Sequence, residues 1–297
     1  MSRDGSTDTL GGRTCLVTGS TSGIGLETAV GLAELGALVI VTGRSPERCR
    51  AAARQVAERA PQGDVDWIAA DLGRRDEVIR LARRVREAYP RLDVLVNNAG
   101  AVFARRRMSP DGVEATLAVN HLAPFLLTRE LLPALRAAAP SRVVNVASVA
   151  HERARPEEIV PDTGGAYRPF VAYAATKLAN VMFTYELARR LEGTGVTANA
   201  VDPGLVRTGI GAKAGLAARL VWGLTLLRHR ERVLEPHEAA RAVVRLAAEP
   251  ELQGITGAYF KEGLPARSSP ASLDPDLWAR LWEASEKLVG ARVAQAG

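Results

Sequence analysis

Cysteine, histidine and lysine are all scarce in this chain. Of 297 residues only Cys15 and Cys49 are cysteine, too few for a disulfide framework. Cys15 falls in the apolar run Cys15-Leu16-Val17 and reads as a small core residue. The four histidines, His121, His151, His229 and His237, have neither i,i+4 helical spacing nor a cysteine partner, so no metal site is expected. Long apolar runs are missing too. The stretch 214–227 is broken by Arg219 and is short of the roughly 18–20 residues that span a bilayer. Residues 1–12 are polar and lack the apolar core of a secretory leader, so a cytoplasmic, reducing setting is expected, with no transmembrane segment. Only Lys177, Lys213, Lys261 and Lys287 are lysine; arginine supplies the rest of the 39 basic residues, which exceed the 33 acidic ones to give +6. Those arginines are scattered among acids, as on a solvated surface, and nucleic-acid binding is not expected.

With 47% hydrophobic and 24% charged residues, the chain can bury a sizeable core, and disorder is excluded as the main state. Short apolar runs alternate with amphipathic stretches. Strands are expected at 14–18, 38–42, 65–70, 94–96, 142–147, 196–201 and 258–260. Helices are expected near 25–35, 46–59, 75–89, 112–135, 173–191 and 236–249. Continuous apolar strands imply burial on both faces. The expected fold is therefore α/β: a Rossmann-type doubly wound parallel sheet of about seven strands, flanked by helices on both faces. No linker or repeat divides the chain, so one domain is expected. Its core would span about 12–260, with a flexible lead at 1–11 and a C-terminal extension at 261–297. Two segments break the rhythm. Residues 152–169 carry three prolines and Gly164-Gly165, as a loop would; residues 208–232 are apolar and then basic at Arg228, Arg230 and Arg232. Both follow expected strands and are candidates for a pocket wall and lid. The second also fits an interfacial helix on anionic lipid, a peripheral membrane contact held as the lesser reading.

Three motifs carry chemistry. The first strand runs into Thr18-Gly19-Ser20-Thr21-Ser22-Gly23-Ile24-Gly25, whose glycines let backbone N–H groups at a helix N-terminus approach a pyrophosphate. A plain strand-to-helix turn has the same look. The second strand ends at Thr42-Gly43-Arg44-Ser45, where NAD binding calls for an acid; Arg44 suits a 2′-phosphate instead, unless it is one more surface arginine. Tyr173-Ala174-Ala175-Thr176-Lys177 opens an amphipathic helix and puts a phenol and an ammonium on one face. A nearby cation favours the phenolate, although a core tyrosine beside a surface lysine has the same spacing.

Taken together, residues 18–25, Asn97-Asn98-Ala99-Gly100, Asn120, Ser148 and the 173–177 motif resemble the short-chain dehydrogenase/reductase family, in order and in spacing, from about Gly12 to Phe260. Longer stretches resemble its retinol dehydrogenase-like NADP-dependent branch: residues 119–125, 177–181 and 281–289. The resemblance implies that Tyr173 exchanges a proton with the substrate oxygen while hydride passes to or from the nicotinamide. It implies that Lys177 holds the nicotinamide ribose, that Ser148 bonds the reacting oxygen, and that Asn120 holds a water passing protons to Lys177. For NADP(H), preferred over NAD(H), it implies a diphosphate loop at Gly19, Ser22, Gly23 and Ile24, with a 2′-phosphate contact at Arg44. Asp71 and Leu72 would flank adenine, and Asn98, Ala99 and Gly100 would lie along the adenine-side ribose. Pro203, Gly204 and Thr208 would orient the nicotinamide.

The expected activity is oxidoreduction of a carbonyl or alcohol on a hydrophobic substrate such as an aldehyde, ketone, retinoid or steroid. Family members are often dimers or tetramers built in part on the helix bearing Tyr173, so a homo-oligomer is expected. Two alternatives stand beside this reading: a catalytically silent NADP-binding regulator, and a short-chain enzyme of another reaction type such as an epimerase. His151, three residues beyond Ser148, either touches substrate or sits exposed in a loop; 105–107 reads as a solvated arginine loop.

Overall fold

The computed structural model describes residues 9–159, 166–206 and 233–290. Alternation begins with β1 (Thr14–Val17), α1 (Gly23–Glu34), β2 (Leu38–Gly43), α2 (Pro46–Arg59), β3 (Val65–Ala69), α3 (Arg75–Ala88) and β4 (Val94–Asn97). A composite helix follows: α4 (Ala115–Leu117), a π-helical turn (Ala118–Leu122) and α5 (Ala123–Ala137). Then come β5 (Ser141–Val146), α6 (Pro169–Arg190), β6 (Val196–Asp202), β7 (Leu205–Val206), β8 (Val233–Leu234), α7 (Pro236–Ala248), β9 (Ala258–Lys261), β10 (Leu264–Ala266) and α8 (Pro275–Gly290).

Eight strands form one sheet in the order β10-β9-β6-β5-β4-β1-β2-β3, parallel except for β10. The strand order reverses between β1 and β4, which places a crevice at their carboxyl ends, where ligands bind in such sheets. Seven parallel strands match the expected count of about seven, and the antiparallel β10 adds an eighth at the edge. Glu262 (φ 51) and Gly263 (φ 83) form a tight two-residue connection, both in the left-handed region that matches hairpin twist. The chain therefore turns back on β9, and the sheet continues past the expected core boundary at 260.

Helices cover both faces, as expected. In α3, Val78, Leu81, Ala82 and Val85 are buried at i, i+3, i+4 and i+7, the stripe of a helix laid on a sheet. One apolar core joins α3, α5, α6 and α8 to one face; another joins α1, α2 and α7 to the opposite face. The expected helix at 112–135 is interrupted at the π turn, and the C-terminal helix α8 was not foreseen as an element. Trp282, in α8, packs at 4.8 Å from the Phe125 ring and 6.0 Å from that of Phe183. Arg190 lies over the same indole at 4.2 Å. With α8 against α6, every residue of α6 from 174 to 188 is buried within the chain. The loop expected at 152–169 contains short 3-10 turns at Val149–Arg153 and Pro156–Glu158, and its end at Pro169 opens α6. The segment 208–232, with Thr208, lies outside the described residues.

Candidate active site

The glycine loop is shaped by crowding. Gly19 (φ +67) passes so close to the end of β4 that a Cβ there would sit 2.9 Å from the Ala99 Cα. At Gly25 a Cβ would fall 2.3 Å from Asn98 Nδ2 and 2.6 Å from the Gly19 carbonyl oxygen. Thr18 stitches the two strand ends together: its Oγ1 accepts from the Asn98 and Ala99 amides at 2.9 and 3.0 Å, and its carbonyl accepts from Asn98 Nδ2 at 2.7 Å. Ser22, the N-cap of α1, makes no side-chain capping bond, so the first-turn amides are left for an anion. A backbone cradle that side chains would fill, at an uncapped helix start, fits a dinucleotide diphosphate. Gly43 ends β2 against the same loop, where a Cβ would meet Thr21 Cγ2 at 2.6 Å. Arg44 follows, exposed and without a hydrogen bond or ion pair among the described residues. Its guanidinium is free to take a phosphate beside the loop. Asp71 Oδ1 accepts from the Gly73 amide at 3.0 Å, forming the turn after β3, and Leu72 packs partly buried at its edge.

The four residues expected in catalysis come from three places in the fold: the end of β5, the start of α6 and the π turn. Ser148 follows β5 and caps a 3-10 turn, its Oγ accepting from the Ala150 amide at 3.3 Å. Tyr173 and Lys177 project from the first turns of α6, with Nζ 5.7 Å from the phenol ring centroid. Lys177 is 3% exposed and donates to the Val146 carbonyl at 2.7 Å. Asn120 sits inside the π turn, fully buried. Its Oδ1 accepts from the Ala101 amide at 2.7 Å; its Nδ2 donates to the Ala101 carbonyl and to Thr176 Oγ1. A methyl on Gly100 would lie 3.8 Å from Lys177 Nζ and 3.9 Å from Asn120 Oδ1, so the chain end after β4 lies beside both.

Burial dominates the electrostatics. It pushes the Tyr173 phenol up to about 12, against a hydrogen bond from Ser148 that pulls down and the Asp202 charge that pushes up. The Lys177 ammonium is pushed down to about 8 by burial, with Asp202 opposing. Lys177 is not among the influences on the phenol, so the lowering of Tyr173 expected from their spacing does not appear.

Asp202 was not foreseen. It ends β6, is 1% exposed, and its Oδ1 accepts from the Gly204 amide at 3.1 Å. Its Oδ2 is buried with no hydrogen-bond partner among the described residues, and burial raises its pKa. Pro203 and Gly204 (φ +92) continue from it at the carboxyl edge of the sheet.

His151 matches neither expectation. It is fully buried, donates from Nδ1 to the Ser148 carbonyl at 2.7 Å, and accepts at Nε2 from the Ser269 amide at 3.0 Å. It braces the Ser148 backbone from behind. Within 105–107, Arg105 and Arg107 are exposed, as expected of a loop, while Arg106 stacks over Tyr167.

Comparison with known proteins bears on the whole arrangement. A family model described as short chain dehydrogenase matches residues 13–218. The chain belongs to the short-chain dehydrogenase/reductase family. It is 37% identical to human retinol dehydrogenase 13 over 285 residues, covering 95% of this chain and 86% of that one. It is 39% identical over 283 residues to a Streptomyces protein provisionally named daunorubicin C-13 ketoreductase, covering 95% and 94%. Among solved structures, a Pseudomonas aeruginosa RhlG/NADP active-site complex superposes with a TM-score of 0.69 at 29% identity, covering 90% and 99%. The protein is thus an oxidoreductase of retinol dehydrogenase-like type. Among the described residues no helix is long and apolar enough to cross a membrane, and no metal-holding cluster of His, Cys, Asp or Glu occurs.

Proposed function

We propose that this short-chain dehydrogenase/reductase uses NADP(H), in preference to NAD(H), to reduce a carbonyl or oxidise an alcohol on a hydrophobic substrate. One observation carries the reading: Tyr173 and Lys177 share the first turns of α6, Nζ 5.7 Å from the phenol ring, with Ser148 in hydrogen-bonding reach of the phenol, and burial favours the protonated phenol that carbonyl reduction needs. Bound NADPH supplies the hydride for the carbonyl carbon. Tyr173 gives its proton to the carbonyl oxygen, and Ser148 donates a hydrogen bond to that oxygen as charge develops on it. Lys177, charged below about pH 8, stands beside the phenol to hold the ribose hydroxyls and restore the proton. Asn120 has its side-chain amide committed to Ala101 and Thr176, so a relay water would be held by its backbone carbonyl.

Gly19, Ser22, Gly23 and Ile24 take the diphosphate in this reading, and Arg44 the 2′-phosphate. Asp71 and Leu72 flank adenine, Asn98, Ala99 and Gly100 the ribose, and Pro203 and Gly204 the nicotinamide. The NADP-bound structural relative supports the cofactor. The apolar substrate class is supported by the retinol and daunorubicin named for the relatives. Val149, next to Ser148 in the chain, is an apolar residue left 42% exposed, in keeping with an apolar substrate.

The test is NADPH oxidation across aldehydes, ring ketones, steroids and retinal, with Tyr173→Phe as control. Turnover of apolar carbonyls by the native protein alone is expected. Equal turnover by the variant overturns the mechanism, and NADPH binding with no turnover anywhere on the panel would favour the regulatory alternative.

A further inference from the structure

Two stretches that resemble the retinol dehydrogenase-like branch, 119–125 and 281–289, are brought into contact by the fold, and within them only Asn120 has a part in the chemistry above. We infer that His121 is a positioning residue: with Asn180 and Ser285 it fixes the backbone carbonyl of Asn120 at the active site. The inference rests on the oxidoreductase reading for its consequence in turnover, though its geometry stands apart from it.

The carbonyl of Asn120 needs fixing because its ordinary helical partner is missing. In an α-helix it would accept the N–H four residues on, but residue 124 is proline and has none. The ladder is already loosened there by the π turn. The carbonyl accepts instead from Asn180 Nδ2 of α6, at 2.9 Å. That bond orients the Asn180 amide and leaves its Oδ1 facing His121 Nδ1 at 3.3 Å. An amide oxygen only accepts, so Nδ1 carries the proton. Burial pushes the imidazole down to about 4, which keeps it neutral and leaves Nε2 bare. Ser285 Oγ, on α8, lies 2.8 Å from Nε2 and 2.8 Å from the Leu281 carbonyl, so its single proton is shared between two acceptors. The imidazole is 1% exposed and is walled by the rings of Phe125 and Phe183 at 6.3 and 6.1 Å.

A histidine that only filled space here would gain nothing from two ordered nitrogens. The same chain extends inward: the Asn180 carbonyl accepts from Thr184 Oγ1, which accepts from Asn145 Nδ2, and Asn145 Oδ1 accepts from Asn97 Nδ2. The C-terminal helix is thereby coupled, through four buried side chains of α6, β5 and the π turn, to the centre of the sheet. It is part of the apparatus that holds Asn120.

The experiment compares His121→Leu, His121→Asn and Ser285→Ala in the full-length protein. An asparagine amide can replace the Nδ1 donor toward Asn180, whereas leucine keeps apolar bulk and no donor. His121→Leu is expected to lower kcat by about tenfold or more, with KM for the carbonyl and Kd for NADPH changed less than about twofold; His121→Asn is expected to recover to within about threefold of the native rate. Hydrogen exchange of the peptide spanning 115–125 should quicken in the leucine variant and return toward native in the asparagine variant. Equal losses in both variants, or a loss confined to NADPH affinity or to melting temperature, overturn the inference. Should the leucine variant fail to fold, Ser285→Ala carries the test: unchanged kcat with unchanged exchange at 115–125 also overturns it. If no carbonyl is turned over even by the native protein, the exchange comparison still decides the positioning claim.

Discussion

Lys177 Nζ donates to the Val146 carbonyl across 2.7 Å, so this lysine is tied to the last residue of the strand that leads to Ser148. The ammonium is held there by main chain rather than by a carboxylate, and it is buried. A desolvated cation with no counter-ion in contact among the described residues is poised to lose its proton near neutrality, which suits a group that must pass protons on.

The pH dependence of kcat/KM for NADPH reports the free enzyme. Lys177 loses its charge as pH rises through about 8, while Tyr173 keeps its proton to about 12. In the reduction direction kcat/KM is therefore expected to be level up to about pH 8 and to fall tenfold per pH unit above it, from one deprotonation. A profile level to pH 10 would count against the assignment.

The same burial costs stability. The folded pKa of Lys177, about 8, lies below its ordinary value of 10.5, so the unfolded chain binds more protons between those limits and stability rises with pH across that window. Below pH 8 the penalty is fully present. Lys177→Met is expected to be more stable than the native protein at pH 7 by about 1–3 kcal/mol in urea unfolding, with the difference vanishing toward pH 10.5. A destabilised Met variant at pH 7 would mean that the bond to Val146 outweighs desolvation.

Most of the nucleotide-binding frame was legible from residue spacing, because alternation of apolar runs and amphipathic helices has a strong period. The glycine loop, Arg44 and the Tyr173–Lys177 face all fall where the sequence placed them, since each is local to one turn or one helix. What could not be read depends on contacts far apart in the chain. The pairing of His121 with Ser285 spans 164 residues, and that of His151 with Ser269 spans 118. Neither leaves a periodic trace. The π turn was hidden for a different reason: an extra residue in a helix barely disturbs an apolar pattern, and Pro124 alone hinted at a break. Asp202 leaves no signal of its own in the sequence, because Pro203-Gly204 beside it marks a backbone turn and the burial of the carboxyl arises only in the tertiary fold. The eighth strand was signalled by Glu262-Gly263, which read as the start of a tail.

Arg44 should decide between cofactors. Arg44→Ala is expected to weaken NADPH binding by about 10–100-fold, the worth of one or two charge-assisted phosphate bonds, and NADH binding by less than about twofold. Titration by nucleotide fluorescence measures both. Equal losses would remove Arg44 from the phosphate site.

The glycine loop has little room. Gly25→Ala places a methyl against Asn98 Nδ2 and the Gly19 carbonyl, and one of the two must shift. Because Asn98 Nδ2 is the donor that ties the end of β4 to this loop at the Thr18 carbonyl, the variant is expected to lose NADPH affinity by at least about tenfold and stability by about 1–3 kcal/mol. Unaltered affinity, measured in the same titration, would show that the loop does not approach the nucleotide.

Trp282 should report on the docking of α8. Its indole contacts Phe125, Phe183 and Arg190 and is 8% exposed. Trp282→Ala is expected to cost about 3–5 kcal/mol in chemical unfolding, the usual effect of removing a buried aromatic. A cost below about 1 kcal/mol would mean that the helix is held by other contacts.

The assignment of Tyr173 as the proton donor meets its sharpest test in NADPH oxidation with a good carbonyl substrate, native protein against Tyr173→Phe, alongside NADPH binding to each. A loss of at least about a hundredfold in kcat with NADPH affinity kept within about threefold is predicted, as for removal of a general acid. Full turnover by the phenylalanine variant would contradict the mechanism outright.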